Sequence, residues 1–145
     1  MKFRIIWAGK TREAYAAEGV AKYLKLLGTL AKVEVVEVRE QRSGPEAERL
    51  RKEGDRILKQ TSSYVLLDEG GTELSSVELA ERLRDRGRAD FVIGGAYGVS
   101  AEVREAASET LSLSRMTLTH EMARVLLLEQ LYRAMTILKG GGYHH

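Results

Sequence analysis

Along this chain, apolar residues recur with a period of two in some segments and with a helical period in others. The two patterns alternate from end to end. Lys2 to Ala8 reads as a strand, and Glu13 to Leu27 as a helix with Val20, Tyr23, Leu24 and Leu27 on one face. Val33 to Val38 is a strand, β-branched at four of its six positions. Ser43 and Glu46 have capping-box spacing before a helix to Gln60, whose buried side is expected to hold Ala47, Leu50, Ile57 and Leu58. Ser63 to Asp68 makes a third strand, and Ser75 with Glu78 opens a helix ending near Gly87. Ala89 to Ile93 is the fourth strand, Ser100 to Glu109 a short helix, and Leu111 to Leu118 the fifth strand. Thr119 is placed to cap a last helix that runs to about Lys139 and stops at Gly140-Gly141-Gly142.

Five strands alternating with five helices predict an α/β domain with a mainly parallel sheet and helices on both faces. One proline, no internal repeat and no low-complexity linker leave residues 1–145 as a single domain. In such sheets ligands sit beyond the carboxyl ends of the strands. That rule directs attention to Asp68-Glu69-Gly70-Gly71, to Gly94-Gly95 and to Ser114 through Thr119 as walls of one crevice.

Composition excludes several chemistries. Without cysteine there are no disulfides, thiolate zinc sites or cysteine nucleophiles. Three histidines, two of them adjacent at the end, do not make a preorganised metal-ligand set, so no metal is expected. The start, Met1 to Trp7, is too short and charged for a signal peptide, and no run approaches the roughly 20 apolar residues of a membrane span. The expectation is a soluble cytoplasmic protein without a membrane. Its 23 basic and 21 acidic residues, a net +2, permit nucleic acid as a partner without demanding it.

The Gly94-Gly95-Ala96-Tyr97-Gly98 turn has neither G-x-G-x-x-G spacing nor a following Gly-Lys-Ser/Thr, which argues against dinucleotides and triphosphates. Read for function, it favours an adenosyl group between apolar walls such as Leu67, Gly95, Met116 and Leu118. Read for structure alone, it is a strand-to-helix connection needing positive φ. Val125 to Leu128 make the last helix apolar on more than one face. It is then either a central core helix or one shared with a symmetric partner. Glu129 stands one turn before Arg133, the spacing of an ion pair. His120 is either a helix-start residue or a group facing the crevice. Tyr143-His144-His145 puts an aromatic ring on a terminus, where nothing ordinarily buries it; the competing reading is a tag remnant. No G-x-S-x-G elbow presents a serine nucleophile.

Taken together, Leu67-Asp68 with Gly70, Phe91 to Gly95 with Gly98, Leu111 to Thr117 with His120, Arg124-Val125, Glu129 with Leu131 to Ala134, and Tyr143-His144 resemble a known family. It is that of the pseudouridine methyltransferases of the bacterial large ribosomal subunit, minimal members of the SPOUT class. The resemblance covers the whole chain and is specific from Phe91 onward. It implies a homodimer, a C-terminal trefoil knot, and S-adenosylmethionine held by Leu67, Gly95, Ser114, Arg115, Met116, Thr117, Leu118 and Thr119. It also implies methylation of N3 of a pseudouridine in a stem-loop of large-subunit rRNA, on the assembled ribosome. Tyr143 and His144 would close over the flipped base and help remove its proton, with Arg124, Glu129 and Arg133 positioning tail or base. Arg39 and Arg42 would be more distant phosphate contacts. The chain departs from the family in having Thr119 where members often carry proline, and His145 where they commonly end in lysine or arginine. A non-catalytic RNA-binding assembly factor on the same scaffold is the rival expectation.

Overall fold

A computed structural model describes all residues 1–145. The elements follow in the order β1 (Lys2–Ala8), α1 (Ala14–Leu27), β2 (Lys32–Val38), α2 (Glu46–Leu58) and β3 (Val65–Glu73), then α3 (Ser76–Leu83), β4 (Arg88–Ile93), α4 (Ala101–Ala106), β5 (Glu109–Ser112) and α5 (His120–Leu138). The sheet is parallel throughout and ordered β2-β1-β4-β3-β5. The α/β expectation with helices on both faces holds. On β1, Phe3, Ile5 and Trp7 point to a core shared with α1, α3 and α5, while Ile6 and Ala8 point to a smaller core with α2 and α4. The strand is buried on both faces, hence its nearly continuous apolar run. No helix is long and apolar enough to cross a membrane.

Local side-chain bonding decides where expectation and structure part. The Ser75 box forms, with Ser75 Oγ accepting from the Glu78 amide and the Glu78 carboxylate accepting from the Ser75 amide. The Ser43 box does not. Gly44 turns away at φ +100°, and Pro45, with its φ already set for a helix start, takes the N-cap position. Ala47 is consequently exposed rather than buried. The fifth strand starts at Glu109 and stops at Ser112, well short of Leu118. There the Ser112 hydroxyl donates to the Ser114 carbonyl and Ser114 Oγ accepts from the Met116 amide. Such local bonds compete with a ladder.

By contrast, β3 runs past Asp68 through two glycines to Glu73, with its register against β5 shifting between Leu67 and Thr72. A Cβ on Gly71 would lie 2.8 Å from Thr110 C and 2.9 Å from Leu111 N, so only glycine lets these backbones meet. Gly71→Ala should cost about 1–3 kcal/mol through overpacking. Gly87→Ala, where a Cβ meets nothing within 4 Å, should be neutral or slightly stabilising. Urea unfolding midpoints of the two variants check both expectations.

Candidate functional site

The middle of β3, the carboxyl end of β4, the loop after β5 and the starts of α1 and α5 surround an open cleft of about 760 Å³. Its lining includes Leu67, Gly95, Ser114, Met116, Thr117, Leu118 and Thr119, and so brings together seven of the eight residues expected to hold a cofactor. The eighth, Arg115, points away, with its side chain 83% exposed and paired with Glu73 at 3.5 Å. Gly94 is bound by space, since a Cβ there would sit 2.9 Å from the Gly98 carbonyl. Gly95 and Gly98 exchange backbone hydrogen bonds, and Gly98 adopts φ +85°, which closes the turn. A Cβ on Gly95 meets nothing, so its backbone is open to a ligand.

The loop's hydroxyls are committed inward. Ser114 Oγ accepts from the Met116 amide, Thr117 Oγ1 donates to Glu69, and Thr119 Oγ1 caps α5 by accepting from the Met122 amide. What the loop offers a ligand is therefore backbone amides and carbonyls with the apolar surfaces of Leu113, Met116 and Leu118. Leu67, Ile93 and Ala123 add further apolar wall, and Glu13 and Glu69 set carboxylates around the rim, with Glu121 buried behind it. Apolar walls, free backbone groups and acidic rather than basic side chains fit an adenosyl ligand carrying positive charge. They do not fit a polyphosphate. Tyr15 and Glu13 on α1 were not legible as site residues, because only the folded chain brings α1 to the end of β4.

Arg124 lies fully buried, not at an opening. It donates to the Ala8 and Gly9 carbonyls and to Thr11 Oγ1, and its guanidinium lies 4.6 Å from the Trp7 ring centroid. It shapes the cleft by holding α5 to the end of β1 and touches neither tail nor solvent. Burial pushes the His120 imidazole down, with the nearby Arg124 charge adding, so His120 favours its neutral form.

Glu129, Arg133, Tyr143 and His144 form a second cluster. Glu129 Oε1 accepts from Arg133 Nη2 at 2.6 Å and from the Tyr143 hydroxyl at 3.1 Å. Arg133 stacks 4.7 Å from the Tyr143 centroid and approaches His144 Nδ1 at 3.1 Å. An arginine only donates, so Nδ1 accepts and the ring proton sits on Nε2. Desolvation first, then the hydrogen bond to Glu129, pushes the Tyr143 phenol up to about 12. It is a proton donor at neutral pH and not a base. Neither Tyr143 nor His144 lines the cleft. Glu129 lies nine residues beyond His120, about 13 Å along the helix axis, so the tail stands apart from its own chain's cleft.

Residues 1–144 match the family described as "Predicted SPOUT methyltransferase". Over 145 residues the chain is 45% identical to ribosomal RNA large subunit methyltransferase H of Thermodesulfovibrio yellowstonii, covering 99% of each chain. It is 43% identical to the protein of that name from Geotalea daltonii, covering all of both. Among solved structures, the tRNA (m1G37) methyltransferase of Aquifex aeolicus superposes with a TM-score of 0.56 at 16% identity, over 92% of this chain and 70% of that one. At that identity the likeness concerns the fold alone.

Glu121 supplies a pH test of the cleft wall. Its Oε1 accepts from the Arg12 and Glu13 amides at 2.9 and 2.8 Å, fastening the approach to α1 onto α5. Burial pushes the carboxyl up, but those two amides, with Arg124, more than offset it and hold it below its ordinary 4.5. A depressed folded value means that stability is present above the unfolded value and lost as pH falls through the folded one. Glu121→Gln should be about 1–2 kcal/mol less stable at pH 7. The deficit should shrink towards nothing as the wild type is titrated below its folded value, read as urea midpoints across acid pH.

Proposed function

The chain belongs to the SPOUT methyltransferase family, and on that premise we propose that it methylates N3 of a pseudouridine in large-subunit rRNA of the ribosome, using S-adenosylmethionine. The observation that carries the reading is the cleft itself, in which the Gly94–Gly98 turn and the Ser114–Thr119 loop face each other across Leu67. The donor, when bound, supplies a methyl group already activated on sulfur. This chain's residues have the remaining tasks. The bare face of Gly95 and the uncommitted backbone of Thr117 and Leu118 would hold the adenosyl part, the carboxylates of Glu13 and Glu69 favour a cationic ligand, and the apolar walls exclude water. Alignment of the reacting atoms within about 3–3.5 Å is the main catalytic contribution.

The substrate side comes from a second copy. The cluster of Tyr143, His144, Arg133 and Glu129 is complete in itself yet set apart from its own cleft. The half-buried Met122 and Leu126 on α5 are available to a symmetric partner, whereas Val125 packs against Gly19 of α1. A homodimer formed through that helix lets the tail of one copy cover the base held at the cleft of the other. There the Tyr143 hydroxyl and His144 Nε2–H orient the ring rather than deprotonate it. Arg124 acts at one remove, by fixing the α5 start. The same reading makes the C-terminal segment a knot. Recognition rests on shape, because the arginine-rich edge is neutralised: Arg82 and Arg86 pair with Glu109, Arg84 with Glu81 and Arg88 with Asp90.

Deleting Tyr143 to His145 should lower methyl incorporation into large subunits by at least about 100-fold, with S-adenosylmethionine affinity by calorimetry nearly unchanged. Mixing that truncation with a cleft-blocked Gly95→Trp chain should restore activity through mixed dimers. Full activity of the truncated protein would remove the tail from the mechanism, and no recovery in the mixture would return it to its own chain.

A further inference from the structure

Beside the main cleft lies a smaller hollow of about 150 Å³ that shares Gly95, Ala96 and His120 with it. Its outer edge is Tyr97, one of the few large apolar side chains left exposed, at 63%. The ring sits on the turn that Gly95 and Gly98 lock with two backbone hydrogen bonds, so it is presented from a fixed support. Arg49 of α2 packs its guanidinium 5.5 Å from the ring centroid. No ion pair engages Arg49, although Glu46 and Glu53 border the same hollow, and its Nε is buried without a partner. An aromatic ring backed on one side by an uncommitted guanidinium and open on the other is the arrangement on which a nucleobase stacks.

The charges in the hollow set the mode of recognition. Lys10, Arg12 and Arg49 face Glu40, Glu46 and Glu53, so there is no net field to draw phosphates. Glu40 is held by Arg12 at 2.9 Å and approached by Arg42 at 3.7 Å, and Glu53 accepts from the Gln41 amide at 2.8 Å. Lys10, Glu46 and Arg49 are left without such partners, and of these only Arg49 packs on the ring. We infer that Tyr97, backed by Arg49, is the stacking platform for the unpaired RNA base next to the one that enters the methyl-transfer cleft. This rests on the function proposed above and names the part of the substrate that the cleft does not account for.

Methylation kinetics on large ribosomal subunits with wild type, Tyr97→Ala, Tyr97→Leu and Tyr97→Phe test it. Loss of one stacked base should raise KM for the RNA about tenfold in Tyr97→Ala, with kcat and S-adenosylmethionine affinity unchanged. Phe should behave as wild type, and added salt should change the ratio little. An unchanged KM in Tyr97→Ala overturns the inference, and Leu serving as well as Phe assigns the patch to a protein contact instead. A parallel fall in cofactor affinity places Tyr97 in the cofactor site and overturns it as well. Titration with a short oligouridine, wild type against Tyr97→Ala, separates the two levels. A wild type that methylates nothing but binds the oligonucleotide through Tyr97 defeats the proposed function and leaves the platform standing. Equal oligonucleotide binding by the two proteins defeats the platform.

Discussion

A single buried guanidinium joins the two halves of this molecule. Arg124 is fully enclosed, with the Ala8 and Gly9 carbonyls, Thr11 Oγ1 and the Trp7 face as its surroundings. No carboxylate lies within ion-pair distance, and burial pushes its pKa down. A cation in that position is tolerable only where oriented dipoles replace water, and the end of a parallel strand supplies them as carbonyls. The consequence is positional. β1, an interior strand of the sheet, and α5, the longest helix, are locked at the end where the cleft opens. Glu121 repeats the fastening one turn earlier through the Arg12 and Glu13 amides. The start of α5 cannot drift without stranding buried polar groups, so the loop from Ser114 to Thr119 hangs between two fixed points.

That anchoring explains how a loop of ordinary small residues makes a specific surface. Each hydroxyl is spent on the loop's own shape: Ser114 on Met116, Thr117 on Glu69, Thr119 on the first turn of α5. The loop then presents backbone groups in fixed directions, which costs little reorganisation when a ligand arrives. The opposite wall works likewise through the mutual bonds of Gly95 and Gly98. Specificity for an adenosyl group over a nucleotide triphosphate follows from what surrounds these backbones, namely aliphatic side chains and carboxylates.

Periodicity made the layered α/β architecture legible, because β1 and β4 inside the sheet are apolar on both faces and the helices other than α5 have one dominant stripe. It located the cleft too, since strand ends in a parallel sheet share one rim. It failed where short polar side chains choose a local partner. Ser112 and Ser114 end β5 although Leu111 and Leu113 alternate with them in a strand-like pattern, and Gly44-Pro45 displaces Ser43 from capping. Arg115 and Arg124 show the same boundary from another side. Both fall within the family's motif, yet one points to solvent and the other into the core. Which way a long cation turns depends on whether carbonyls or a carboxylate await it, and that is a property of residues far away in the chain.

The separation of tail and cleft could not be read from order along the chain, and it bears on the proposed chemistry. In its observed place the tail offers donors only: a phenol held protonated by desolvation and Glu129, and an imidazole whose Nδ1 is taken by Arg133, leaving Nε2–H. A base whose carbonyls accept from these groups becomes more acid at the nitrogen between them, because negative charge building on the oxygens is stabilised as the proton leaves. On that argument the tail need not accept the proton of the target nitrogen. In the proposed reaction it would lower the cost of losing that proton to water, with Glu129 and Arg133 keeping the two donors in register.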